Sequence, residues 1–254
     1  MTGRFADRVA VITGAGGGIG EAYARGLHAE GARVVVAEIR ADTGRACAAA
    51  IEAAGGEALF VETDVTSADA VEALVAQSLD RFGSIDVLFN CAGGSIPEDV
   101  TITEVDLEAV WEHTLSLDLK GTMLCCRHVI PEMIRAGGGS IVNSTSVVAL
   151  RGGYPVHVYT AAKGGVIAFT RGIAGSYTTQ GIRANAVAPG LVLSERLRER
   201  FGENAAAAMA SQEDHPFSVG EPPDIAAVAL FLASDESRMV TGAVIPADGG
   251  LSAF

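Results

Sequence analysis

Short apolar runs alternate with longer amphipathic ones from one end of the chain to the other. Residues 8–13 (Arg-Val-Ala-Val-Ile-Thr) read as a strand buried on both faces, because no polar residue interrupts the apolar run. A glycine-rich turn follows, and then a helix from about Gly18 to Glu30 closed by Gly31. The pattern repeats with a strand at Val34–Ala37, an Ala-rich helix over 42–54 and a strand near 58–62. It continues with a helix over 67–82, which Ser67 caps and Gly83 ends. Val87–Phe89 is the fourth strand, and one long helix or a broken pair fills 103–135. Ser140–Asn143 is the fifth strand, 157–179 a helix and Ile182–Val187 the sixth strand. Residues 194–217 are polar and irregular, with a helical piece expected near 203–211. A helix opened by Pro222-Pro223-Asp224 and a short strand at Ala243–Ile245 complete the series. Strands alternating with helices predict βαβ units and a doubly wound, Rossmann-like parallel sheet. No linker or repeat breaks the series, so residues 1–254 read as a single α/β domain.

Composition narrows the partners. A net charge of −13 argues against nucleic acid or an anionic membrane, since both demand a basic surface. No apolar run approaches the ~20 residues that span a bilayer. Arg4, Asp7 and Arg8 precede the first apolar run, so no signal peptide is expected. Cys47, Cys91, Cys125 and Cys126 have no metal-binding or Cys-x-x-Cys spacing. A reducing, cytoplasmic setting is the simplest reading of them. No set of His, Cys and carboxylates suggests a metal.

Two local patterns carry chemistry. Thr13-Gly14-Ala15-Gly16-Gly17-Gly18-Ile19-Gly20 lies between the first strand and the first helix. Such a turn either closes tightly with no ligand or presents a helix N-terminus to a pyrophosphate. No Lys-Ser/Thr follows it, which excludes a P-loop. Glu38 ends the second strand, where a Rossmann fold places the acid that binds the adenosine ribose. A carboxylate there disfavours the extra phosphate of NADP, although Arg40 beside it points the other way. The second pattern is Tyr159-Thr-Ala-Ala-Lys163. The chain has two lysines against sixteen arginines, and one of the two stands here. On a helix, residues i and i+4 share a face, and an ammonium lowers a phenol's pKa from ~10 toward working pH. By spacing alone, a solvated helix face is the more common source of such a pair.

Together these motifs resemble the short-chain dehydrogenase/reductase family over essentially the whole chain. Thr13-Gly14-x-x-x-Gly18-Ile19-Gly20 is similar to its cofactor turn. Asp64-Val65 resembles its adenine-contacting pair. Asn90-Cys91-Ala92-Gly93 resembles its Asn-Asn-Ala-Gly, with Cys91 replacing the second Asn. Ser146 stands thirteen residues before Tyr159, the spacing of the family's serine; Ser144 is out of register. Asn185-Ala-Val-Ala-Pro189-Gly190-Leu-Val192-Leu-Ser194 and Asp248-Gly249-Gly250 match two further segments, with Ser194 in the place of a Thr. One position departs. Asp118-Leu-Lys-Gly121 stands where the family has Asn-x-x-Gly. In the family the main-chain carbonyl of that Asn holds a water behind the lysine, and a carbonyl survives the change to Asp. A helix residue bonded to neighbouring backbone is the other reading of Asp118.

The resemblance implies hydride transfer between NAD and a secondary alcohol or ketone. Tyr159 serves as general acid/base, Ser146 holds the substrate oxygen, Lys163 supports both the phenol and the cofactor ribose, and Asp118 positions a water. Gly14, Gly18, Ile19, Gly20, Glu38, Asp64, Val65, Asn90, Ala92, Gly93, Pro189, Gly190, Val192 and Ser194 are the implied cofactor residues. Substrate choice is expected in 94–100, 147–158 and 191–217, the last forming a lid. Leu191, Leu193, Leu197, Phe201, Met209 and Phe217 suggest an apolar wall and a non-ionic substrate. Arg151, Tyr154 and His157 read as solvated loop residues. An NADPH-dependent 3-oxoacyl reductase is the rival activity, and a non-catalytic nucleotide sensor the rival class. The resemblance also implies a homotetramer.

Overall fold

The computed structural model describes residues 3–195, 197–198 and 219–253. Seven parallel strands form its central sheet: β1 (Val9–Thr13), β2 (Arg33–Glu38), β3 (Ala58–Glu62), β4 (Val87–Asn90), β5 (Gly139–Ser144), β6 (Ile182–Pro189) and β9 (Val244–Ala247). Their order is β3-β2-β1-β4-β5-β6-β9. The order reverses between β1 and β4, and ligands of open α/β sheets bind at the carboxyl ends of strands at such a switch point.

Helices α1 (Gly18–Ala29), α2 (Ala41–Ala53), α3 (Ala68–Phe82), α4 (Leu107–Thr114), α5 (Gly121–Ala136), α6 (His157–Tyr177) and α7 (Pro222–Ala233) surround the sheet. Both faces of the sheet are apolar because successive strand residues point to opposite sides. Ile12, Val34, Val36, Phe89 and Val142 pack with Tyr23 and Leu27 of α1, Ile51 of α2 and Leu232 of α7. Val9, Val11, Val35, Leu88 and Ile141 pack instead with Leu74 of α3, Val129 and Met133 of α5 and Ile173 of α6. Tyr23 reaches Phe89 across the first layer, with ring centroids 4.5 Å apart. The paired cysteines Cys125 and Cys126 lie in the second layer as small apolar groups.

Most expected elements fall within a residue or two of their predicted ends. Ser67 caps α3 by accepting from the amide of Ala70, and Gly83 ends that helix in a left-handed conformation. The stretch expected as one helix or two over 103–135 begins later, at Leu107, and is continuous through a π-helical turn at Leu115–Lys120. Strand β6 runs on to Pro189 because it pairs with β9 as far as Ala247. Strands β7 (Leu191–Val192) and β8 (Val219–Gly220) form a separate two-stranded ladder. The two ends of the irregular segment therefore lie side by side. The helical piece expected near 203–211 lies outside the described residues.

Candidate active site

The carboxyl ends of β1, β4, β5 and β6 open into a cleft of 560 Å³. Two turns from either side of the switch point form its floor. Thr13, the last residue of β1, accepts from the amides of Cys91 and Ala92 at 3.1 and 3.2 Å, which ties the turn after β4 to the turn after β1. The approach is close. Gly14 has φ +66°, and a side chain there would place its Cβ 2.9 Å from the Cα of Ala92. Helix α1 starts at the far side of this turn, and the residue before it, Gly17, offers no side-chain cap. Gly18, Ile19 and Gly20 of its first turn line the cleft, and the first amides of a helix have no acceptor within it.

Glu38 ends β2, is buried and lines the same cleft. Its carboxylate accepts from the amide of Gly16 at 3.0 Å and from that of Arg40 at 3.1 Å. The Arg40 guanidinium lies 3.6 Å away and is largely exposed. An uncapped helix N-terminus beside a buried carboxylate is a donor and acceptor set that fits a dinucleotide, with the pyrophosphate at the amides and a ribose at the acid.

The other end of the cleft holds Ser144, Ser146, Tyr159 and Lys163. The first two come from the end of β5 and the turn beyond it, where the Ser146 hydroxyl accepts from the amide of Val148. Tyr159 and Lys163 stand one turn apart on α6, with the ammonium 5.5 Å from the centre of the phenol ring. Lys163 is buried and donates to the carbonyl of Ser144 at 2.9 Å. It also meets Asp118 directly, Nζ to Oδ1, at 3.0 Å. Asp118 is fully buried, and the π-helical turn carries it to this position. The same Oδ1 accepts from the amide of Gly94 at 2.9 Å, while Oδ2 is buried and has no partner among the described residues. Gly93 makes the approach possible, since a Cβ there would sit 2.1 Å from Oδ1. Burial by itself disfavours charge on Lys163. That desolvation is the largest single influence, but the charge and hydrogen bond of Asp118, with Tyr159 and Cys91, together exceed it and hold the lysine pKa above its ordinary value.

The lysine is thus met directly by the side chain of Asp118. The main-chain carbonyl of Asp118 accepts from the hydroxyl of Thr122 at 3.0 Å. A carboxylate carries the charge that an ammonium seeks, which an Asn amide lacks.

Gly14, Gly18, Ile19, Gly20, Glu38, Ala92, Gly93, Pro189, Gly190, Val192 and Ser194 all line the cleft. Asp64, Val65 and Asn90 do not. Asp64 instead accepts from the amide and hydroxyl of Thr66 and shapes the turn before α3. Val65 is buried, and a Cβ on Gly121 would sit 2.8 Å from it. Asn90 is buried between strands and donates to the side chain of Asn143 at 2.8 Å. Of the expected apolar wall, Leu197 lines the cleft; Phe201, Met209 and Phe217 lie outside the described residues. Arg151 is half-buried, whereas His157 is exposed as expected, and both bond to backbone. Arg151 donates to the carbonyl of Leu251 at 2.8 Å, and His157 Nδ1 accepts from the amide of Ile102 at 3.0 Å.

One residue escaped the sequence reading. Asp99 is buried and accepts from the amides of Val158 and Tyr159 at the start of α6. It caps that helix from a distant loop.

These features agree with what the chain is similar to. A family model described as enoyl-(acyl carrier protein) reductase, of the short-chain alcohol dehydrogenase type, matches residues 14–252. The chain is 42% identical to a probable short-chain type dehydrogenase/reductase of Bradyrhizobium diazoefficiens over 253 residues, 99% of its length and 89% of the relative's. It is 41% identical to a cis-4-hydroxycyclohexanecarboxylate dehydrogenase of Sinomonas cyclohexanicum, covering 98% of both chains. A solved 7α-hydroxysteroid dehydrogenase complexed with NADH and 7-oxo glycochenodeoxycholic acid superposes with a TM-score of 0.89 at 30% identity, over 97% of this chain and 95% of the other. The chain belongs to the short-chain dehydrogenase/reductase family. It is an oxidoreductase of CH–OH groups, and its family works with a nicotinamide cofactor.

Proposed function

We propose that the protein is an NAD-preferring dehydrogenase/ketoreductase of secondary alcohols and ketones. The observation that carries this reading is one cleft with Glu38 and an uncapped helix N-terminus at one end and Ser146, Tyr159 and Lys163 at the other. Bound nicotinamide supplies the hydride acceptor, or the donor in the reverse direction. The α1 amides take the pyrophosphate, and Glu38 accepts from the adenosine ribose hydroxyls, which selects against a 2′-phosphate. Tyr159 takes the alcohol proton in oxidation and returns it in reduction. Ser146 donates to the substrate oxygen as charge grows on it. Lys163 favours the phenolate and reaches the nicotinamide ribose. Leu197, which lines the cleft, supports a non-ionic, fairly hydrophobic substrate, and residues 191–217 act as its lid. The four cysteines are free, which supports a reducing, cytoplasmic setting. The working unit is a homotetramer.

A panel of secondary alcohols and ketones tests the reading, with NADH absorbance as readout. The panel includes cis-4-hydroxycyclohexanecarboxylate and 7-hydroxysteroids, named for the activities of two similar proteins. Turnover with NAD is expected to exceed turnover with NADP. The exposed Arg40 beside Glu38 favours the second reading, an NADPH-dependent 3-oxoacyl reductase, and a clear NADP preference establishes that one instead. Tyr159→Phe is expected to abolish turnover while NADH affinity, followed by fluorescence, stays within about twofold. Turnover surviving in that variant refutes the role of the phenol, and NADH binding without turnover of any panel member favours a sensor.

A further inference from the structure

The buried ion pair behind Tyr159 has a consequence for the chemistry that the family pattern, with its neutral Asn, does not contain. We propose that Asp118 is the counter-ion of Lys163 and sets the pH at which the Tyr159 phenol ionises, keeping the lysine an ammonium and holding the phenol protonated to higher pH than an Asn would. The inference rests on the proposed role of Tyr159, and it names the residue that tunes it.

The geometry is specific. Asp118 Oδ1 stands 3.0 Å from Lys163 Nζ, and both side chains are almost wholly out of solvent. Screening by water is therefore weak, and each charge acts strongly on its neighbours. The position is built from two sides. The π-helical turn carries Asp118 inward, and the bare backbone of Gly93 leaves room for its carboxylate. Among the described residues, the following titratable groups surround the pair. On α6 itself there is Tyr159. From the turn after β4 comes Cys91, whose thiol burial pushes up to about 12, so it stays neutral. Asp99 faces α6 at the amide of Tyr159 and is spent on that helix's amides. Glu38 is felt at Cys91 from the far end of the cleft. Lys120 and Glu112, on the same helical stretch as Asp118, are exposed.

The sign follows from charge alone. An ammonium lowers the pKa of the phenol, and a carboxylate touching that ammonium cancels part of its field. Removing the carboxylate lowers the proton affinity of both Lys163 and Tyr159. Asp118 thus acts through Lys163 and is a positioning residue. It does not touch the reacting atoms.

Two measurements test this without requiring turnover. The first uses the wild-type protein. Its only lysines are Lys120 and Lys163, so lysine labelled at the side-chain nitrogen gives two NMR signals. Exposed Lys120 is an internal reference. Lys163 is expected to remain an ammonium to higher pH than Lys120, and a Lys163 that titrates below Lys120 overturns the proposal. The second follows the phenolate by ultraviolet difference absorbance, subtracting Tyr159→Phe to isolate Tyr159. Asp118→Asn preserves the shape and the acceptor for Gly94, and is expected to lower the Tyr159 midpoint by about one unit, a tenfold loss of proton affinity. The acid limb of alcohol oxidation moves by the same amount. An unchanged or raised midpoint overturns the proposal, as it would if Asp118 were uncharged. If Asp118→Asn fails to fold, the lysine titration decides alone. Turnover by Tyr159→Phe, in contrast, refutes the underlying role of the phenol whatever the titrations give.

Discussion

Asp99 performs for α6 a task that no residue inside the helix performs. Val156, at the position before the helix, has no side chain that can accept, and the free amides of the first turn are met from a loop 59 and 60 residues upstream. One of those amides belongs to Tyr159. The cap is a carboxylate at a helix N-terminus, where charge and dipole reinforce each other. Asp99→Ala is expected to cost about 1–2 kcal/mol in urea unfolding. It should also lower kcat more than it raises KM, because the phenol loses its fixed position. Asp99→Asn keeps an acceptor and should recover most of both. Equal effects of the two variants on kcat would mean that the cap does not position the phenol. This residue was invisible in the sequence for a physical reason. A cap within a helix has a fixed spacing, whereas one supplied from another loop has none. Ser146, Tyr159 and Lys163 were legible because two are locked in one helical turn and the third at a set distance before it. The direct meeting of Asp118 and Lys163 was not, since it depends on a π-helical turn that shifts the side chain inward, and no local pattern announces such a turn.

The β1–α1 turn and the α3 cap separate what an element needs to fold from what it needs to bind. Gly14 holds φ +66° with the chain after β4 against it, so Gly14→Ala incurs both backbone strain and steric overlap. The variant is expected to weaken NADH binding at least tenfold in a fluorescence titration and to lower Tm. Ser67→Ala removes one capping bond on the outer side of the sheet and should cost about 1 kcal/mol with NADH affinity unchanged. If both variants lost stability and neither lost affinity, the turn would be structural only. The elements themselves were readable because most strands centre on a short apolar run and most helices are bounded by a glycine, a proline or a capping residue. The β7–β8 ladder was not readable. It is two residues long on each side, too short for any period, and its partners are joined only by the return of the chain.

At the scale of the whole molecule, several large apolar side chains are exposed among the described residues, and two of them share one helix face. Leu107 and Trp111 stand one turn apart on α4 and are 46% and 52% exposed, and Met123 on α5 is 39% exposed. The proposed homotetramer, assembled through this helical region, would cover them. Trp111 is the chain's single tryptophan, so its fluorescence reports on that surface alone. In an assembly the indole is desolvated and emits at shorter wavelength than it does in the lone chain. Sedimentation equilibrium is expected to give four times the 26.0 kDa chain mass, with Trp111 emission blue-shifted. Leu107→Glu places a charge on the same face, one turn away, and should dissociate the assembly and red-shift the emission together. Low salt should act in the same direction, because each copy carries −13 and the copies repel. A tetramer that survives Leu107→Glu with Trp111 emission unchanged moves the contact to another face. A monomer at every concentration and salt removes the assembly, and leaves the α4–α5 surface as an exposed apolar patch on a chain that works alone.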